Sequence, residues 1–177
     1  MHEVNDGRWY SQVDIGEALR YAGVSSAENC EGRMLEQAIA AVNEVGEASM
    51  PKSISRECSY VSDGGVCLVD EIGFVSASLS DHLKGCDKAL LFAATLGSGV
   101  DMLINRCSAV SMSRAIFLQG AAAALIEFYC DVECEKLERH YGKEGLYLRP
   151  RFSPGYGDFP LESQRVLTDY LNAYKYA

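Results

Sequence analysis

A helical pattern running from Met112 to His140 is the longest in this chain of 177 residues, and it limits the fold more than any other feature. The strand candidates around it are short. Helices and strands alternate without the regular βαβ rhythm of a doubly wound sheet. The expectation is an α+β fold, with a mostly antiparallel, twisted sheet and helices packed around it.

The remaining elements are read from periodicity and turn chemistry. Val13 to Tyr21 predicts a short helix that stops at Gly23. Ala27 to Val45 predicts a longer one, with Leu35, Ile39 and Val42 as its apolar positions. Ser53 to Tyr60 reads as a strand, and Asp63-Gly64-Gly65 as a tight turn into Val66–Val69, a hairpin signal. Ser78 to Leu83 reads as a helical turn opened by a serine cap, and Lys88 to Thr95 as a buried strand. The chain must then turn at Leu96-Gly97-Ser98-Gly99 into a helix over Val100–Arg106. Leu146 to Phe152 reads as a returning strand and Ser163 to Tyr174 as a final helix. No repeat, low-complexity tract or linker divides the chain, so a single domain over residues 1–177 is expected.

Composition excludes several function classes. The hydrophobic share of 48% and charged share of 23% are those of an ordinary globule. A net charge of −9 repels a phosphate backbone, so nucleic acid is not expected as a partner. The first residues lack the basic and apolar regions of a signal peptide. No apolar run is read as reaching the roughly 18 residues of a membrane span, so no membrane role and a cytoplasmic address are expected. Seven cysteines with no C-x-x-C pair signal neither a disulfide framework nor a zinc ribbon. Cys130 and Cys134, four apart, are read as small buried hydrophobes rather than as metal ligands. G-x-S-x-G, P-loop and H-E-x-x-H motifs are missing, as is the third glycine that Gly97-Ser98-Gly99 would need as a dinucleotide loop.

The stretch Arg151 to Pro160 carries the densest chemistry. Arg151 offers a planar fork of donors suited to a carboxylate. Pro154 fixes φ, and Gly155 admits a positive φ or the close approach of a ligand. Tyr156 has a flat face and a polar tip. The cluster suits a small zwitterion with an aromatic base; it suits equally a surface turn with an incidental arginine.

On the long helix, Glu127 shares a face with Gly120, Ala123, Ala124 and Cys130. Such small residues let a neighbouring strand or a ligand come close, and a carboxylate among them would seek a cation. A solvated glutamate and a structural pair with Arg151 are the other readings. Asp131, Glu133, Glu135 and Glu138 read as a solvated face.

The pattern Arg151-Phe152-Ser153-Pro154-Gly155-Tyr156 resembles the S-adenosylmethionine-binding motif of the activation (reactivation) domain of cobalamin-dependent methionine synthase. Gly157-Asp158-Phe159-Pro160-Leu161-Glu162 looks like the free-standing bacterial form. Ala18–Val24 is similar to that family's N-terminal helix end, and Leu91–Gly97 to its central strand and turn. The match runs in order from about Val13 to Leu171.

The resemblance implies a single activation-domain-like domain that binds S-adenosylmethionine through Arg151, Ser153, Gly155, Tyr156 and Glu127. It would present the methyl donor for reductive methylation of cob(II)alamin, with no catalytic side chain and no metal of its own, and would be inactive alone. No D-x-H-x-x-G signature is present, so cobalamin is expected on the partner, a cobalamin-binding methyltransferase, with a flavodoxin-type reductant as electron donor. Family members continue into a Ser/Lys-rich segment with another ligand-contacting tyrosine; here the chain closes at Asn172–Ala177, so that segment is expected to be absent. Two other readings stand: a reactivation partner of another corrinoid methyltransferase, or a non-catalytic interaction protein with a vestigial site.

Overall fold

A computed structural model describes residues 8–24 and 32–175. The fold is α+β, with helices packed around small antiparallel sheets. The elements run α1 (Ile15–Tyr21), α2 (Gly32–Ala48), β1 (Lys52–Cys58), β2 (Tyr60–Asp63), β3 (Val66–Val69), β4 (Ile72–Val75), α3 (Ala77–Leu83), β5 (Ala89–Thr95), α4 (Ser98–Ser108), α5 (Met112–Gly142) and α6 (Ser163–Tyr170), with a 3-10 turn at Ala173–Lys175. They gather into two compact units, one holding the described residues through Lys52 and Ala94–His140, the other Ser53–Ala93 and the chain from Tyr141.

The first unit is helical. Asp14 caps α1 by accepting from the Gly16 N–H at 2.8 Å. Gly23, at φ +85°, closes the helix, with Val24 N–H donating to the Leu19 carbonyl and Gly23 N–H to that of Arg20. That paired pattern is a Schellman stop, which favours glycine. Leu118, Ala121 and Leu125 of α5 are completely buried against Val45 of α2, Val100 of α4 and Tyr10.

Of the three apolar positions expected to face the core from α2, the structure buries Val42 and leaves the other two exposed. Leu35 and Ile39 are each 42% exposed, whereas Ala38, Ala41, Val42, Val45 and Gly46 are buried. Small side chains win this face because the neighbours come too close for large ones: a Cβ on Gly46 would lie 2.5 Å from the Tyr10 ring, and one on Gly99 of α4 2.5 Å from the Ala48 carbonyl oxygen. The residues of the expected Ala27–Val45 helix before Gly32 lie outside the described ones.

The second unit carries the sheets. β2, β3 and β4 form an antiparallel meander in the register Asp63↔Val66 and Val69↔Ile72, and β1 pairs with β5. Gly64 and Gly65 both take positive φ, as a two-residue type I′ hairpin requires. Two expected strands change. Ser53–Tyr60 breaks at Ser59, whose N–H and Oγ both donate to the Asp70 carboxylate at 2.9 Å. β1 therefore ends at Cys58 and β2 begins at Tyr60. Leu146–Phe152 forms no strand, because Pro150 lacks an N–H and Arg149 is drawn to α3. β5 is half-buried except for Ala89.

Among the described residues one helix, α5, is long and apolar enough to cross a membrane by length and composition, which corrects the expectation that no such run exists. Its Ala-rich centre passes that test, and Leu118, Ala121 and Leu125 of the same helix pack into the first unit's core.

The small stripe on α5 also has a visible neighbour, and it is α1. A Cβ on Gly120 would lie 2.5 Å from the Ala18 carbonyl oxygen and 2.8 Å from the Ala22 nitrogen. Helix propensity alone favours alanine over glycine by about 1 kcal/mol. Backbone cannot yield as a side chain does, so overpacking of about 1–3 kcal/mol should outweigh that gain. Gly120→Ala is expected to lower the melting temperature by several degrees in a thermal melt; an unchanged or higher value would contradict this packing.

Candidate functional site

Residues 149–160 lie between α5 and α6, and within them 153–159 form a turn held by its own backbone. The Gly155 N–H donates to the Phe159 carbonyl at 2.7 Å, Tyr156 N–H to Ser153 at 3.0 Å, and Phe159 N–H to Tyr156 at 2.9 Å. Gly155 and Gly157 sit at φ +96° and +55°, where a side chain is strained. At Gly157 space is short as well, since a Cβ would lie 2.5 Å from the Ser78 hydroxyl.

Two charged side chains dock this segment on α3. The Asp158 carboxylate accepts from Ser76 Oγ at 2.6 Å, Ala77 N–H at 2.8 Å and Ser78 N–H at 3.0 Å. Ser76 Oγ in turn accepts from the Leu79 N–H at 3.0 Å, so the N-terminal donors of α3 are satisfied. At the other end, Arg149 donates to the carbonyls of His82 (2.6 Å) and Lys84 (2.9 Å). Anion at the N-terminus and cation at the C-terminus match the helix dipole. The Ser76 hydroxyl and the two N–H groups hold the Asp158 carboxyl well below the usual carboxylate range.

Aromatic rings fix the loop between these ends. Phe152 stacks on His82 with centroids 4.8 Å apart and on Phe159 at 6.2 Å, and Phe159 meets Phe74 edge-on at 5.3 Å. Tyr156 touches Phe152 edge-on at 5.8 Å yet stays 53% exposed. Arg151 and Ser153 are half-buried and Gly155 exposed. Ser153, Gly155 and Tyr156 thus share one self-bonded turn, and Arg151 stands two residues before it.

Glu127 lies in the first unit, exposed on α5. Cys130 and Cys134 are half-buried on the same helix, and among the described residues no three His, Cys, Asp or Glu side chains gather as metal ligands. Thr95 Oγ1 accepts from the Gly97 N–H at 3.0 Å, and Gly97, at φ +87°, opens α4. Sequence reasoning missed Arg149 and His82 and gave Asp158 no role. Its partners stand some eighty positions away, and no local pattern links them.

A second carboxylate ties the meander to α6. Asp70, at φ +49°, accepts from Ser59 and from Tyr170 Oη at 2.8 Å, and the Arg56 guanidinium lies 4.9 Å over the Tyr170 ring. These bonds, that from Tyr170 foremost, bring the Asp70 pKa down to about 2. Burial, reinforced by Asp70, pushes the Cys58 thiol up to about 12, so it stays protonated.

No family model matches the chain, and no curated protein matches it.

Depressed carboxylates give a definite pH dependence. Asp70 and Asp158 both have folded-state values below their unfolded ones, so their stabilisation is fully present above the ordinary pKa. It is lost as pH falls through the folded value, which for Asp70 means from about 4 towards about 2. The gap in melting temperature between the wild type and Asp70→Asn is expected to be widest above about pH 5 and to shrink below about pH 4. A gap constant from about pH 6 to about pH 2 would show that the charge contributes nothing.

Proposed function

We propose that this chain is an S-adenosylmethionine-binding reactivation module for a cobalamin-dependent methionine synthase, presenting the methyl donor for reductive methylation of cob(II)alamin. The supporting observation is the segment 151–156, where a half-buried arginine precedes, and an exposed aromatic ring stands on, a turn closed by the Tyr156 N–H donating to the Ser153 carbonyl.

The residues fit the ligand's chemistry. The Arg151 fork matches a carboxylate in two parallel hydrogen bonds. The Tyr156 face can stack on a purine, and the Ser153 hydroxyl can donate or accept. A Cβ at Gly155 would meet only Leu161 Cδ1, at 3.6 Å, so the backbone there is open to close approach. Glu127 enters this reading through the resemblance alone.

S-adenosylmethionine supplies an electrophilic methyl group. The chain's part is to bind and orient that donor, since catalysis by positioning needs no acid or base of its own. Cobalamin, and the electron from a flavodoxin-type donor, belong to other proteins in this reading. A cytoplasmic address goes with it, supported by cysteines that form no disulfide framework.

Two measurements test the proposal. In isothermal titration calorimetry Arg151→Ala should weaken S-adenosylmethionine binding by about 1.5–3 kcal/mol, roughly ten- to a hundredfold, with Arg151→Lys recovering only part. Equal affinity in Arg151→Ala would remove Arg151 from the site, and no heat with the wild type would overturn the reading. In a reactivation assay, the chain alone should transfer no methyl group to homocysteine. With a cobalamin-loaded methionine synthase and a strong reductant it should speed loss of the cob(II)alamin absorbance only when S-adenosylmethionine is present. A rate independent of this chain would contradict the role.

A further inference from the structure

We propose that Asp158 and Arg149 are positioning residues for the ligand loop: gripping α3 at opposite ends, they hold residues 151–156 in binding shape before any ligand arrives. The inference rests on the binding role proposed above, but it concerns residues that the motif does not include.

α3 has seven residues, too few to hold itself together in water. Its terminal polar groups are taken by side chains from elsewhere in the second unit. Ala77 and Ser78 N–H donate to Asp158, and the His82 and Lys84 carbonyls accept from Arg149. The Tyr60 hydroxyl lies within 2.7 Å of the Leu83 and Cys86 carbonyls. Helix and loop therefore order each other. Between the two charged anchors the His82–Phe152 stack makes a third contact. Tyr156 makes no comparable core contact and is left 53% exposed. The ring best placed to meet a ligand is thus held by its neighbours.

The functional consequence is thermodynamic. When only a fraction of a protein holds the binding conformation, apparent affinity falls by that fraction. Cutting the clamp should therefore weaken binding without removing any group that touches the ligand.

The test pairs two readouts on the intact chain. Amide hydrogen exchange at Gly155, Tyr156 and Phe159 reports the loop without ligand, and S-adenosylmethionine calorimetry reports its use. For Asp158→Ala we expect exchange at these amides to quicken about tenfold, amides of α5 to stay unchanged, and affinity to fall about tenfold. Asp158→Asn, which keeps an acceptor oxygen, should restore part of both effects. Should Asp158→Ala fail to fold, Gly157→Ala disturbs the same docking by steric pressure on Ser78 with every charge retained, and should produce the same pair of changes. Lost protection with wild-type affinity would overturn the proposal, as would protection retained in these variants. If the wild type shows no heat with S-adenosylmethionine, the ligand reading fails. Exchange alone then decides the clamp, with quickened loop amides supporting it and unchanged ones overturning it.

Discussion

Through one carboxylate, Asp158 joins segments eighty to eighty-two positions apart, taking the Ser76 hydroxyl and the amides of Ala77 and Ser78 together. That contact docks the connection between α5 and α6 on α3. It sets where α3 begins, brings Gly157 against Ser78, and leaves Phe159 to enter the core beside Phe74. Because the acceptor is charged, its hydrogen bonds are stronger than neutral ones and demand a fixed geometry. Arg149 gives the same helix a counterpart at its other end. A short helix that would be unstable alone thereby becomes a fixed support for a turn.

The two units solve the same problem with different chemistry. In the first, helices approach closely because glycine and alanine occupy the contacts, as at Gly120 against α1 and Gly46 against Tyr10. Dispersion and burial do the work there, and a single methyl group is enough to disturb it. In the second, short strands and a long irregular connection offer less apolar area, and ionised side chains tie the pieces together. Asp70 repeats the device, bonding Ser59 and Tyr170 from one turn position.

What the sequence made legible follows from this division. Local signals were read well: Gly23 ends α1, Gly64-Gly65 makes a hairpin, and the Met112–His140 pattern is a helix. Each depends on residues near in sequence. On α2, Val42 was placed rightly in the core, but Leu35 and Ile39 were not, because the space available admits small side chains. Leu146–Phe152 looked like a strand by composition, yet its groups are engaged with α3 some sixty-five positions away. The Arg151–Tyr156 turn was visible as a motif. Its support by Asp158 and Arg149 was not, since no periodicity encodes a contact between distant caps.

In the proposed reading, the segment 151–156 receives S-adenosylmethionine. Chemical-shift mapping on isotope-labelled protein tests it most directly, because it locates the ligand without removing any side chain. Binding there should give shifts that saturate with added ligand and concentrate on the amides of Arg151, Ser153, Gly155 and Tyr156, with the Arg151 side-chain signals among them. Saturating shifts confined to other parts of the chain, or none at millimolar ligand, would contradict it.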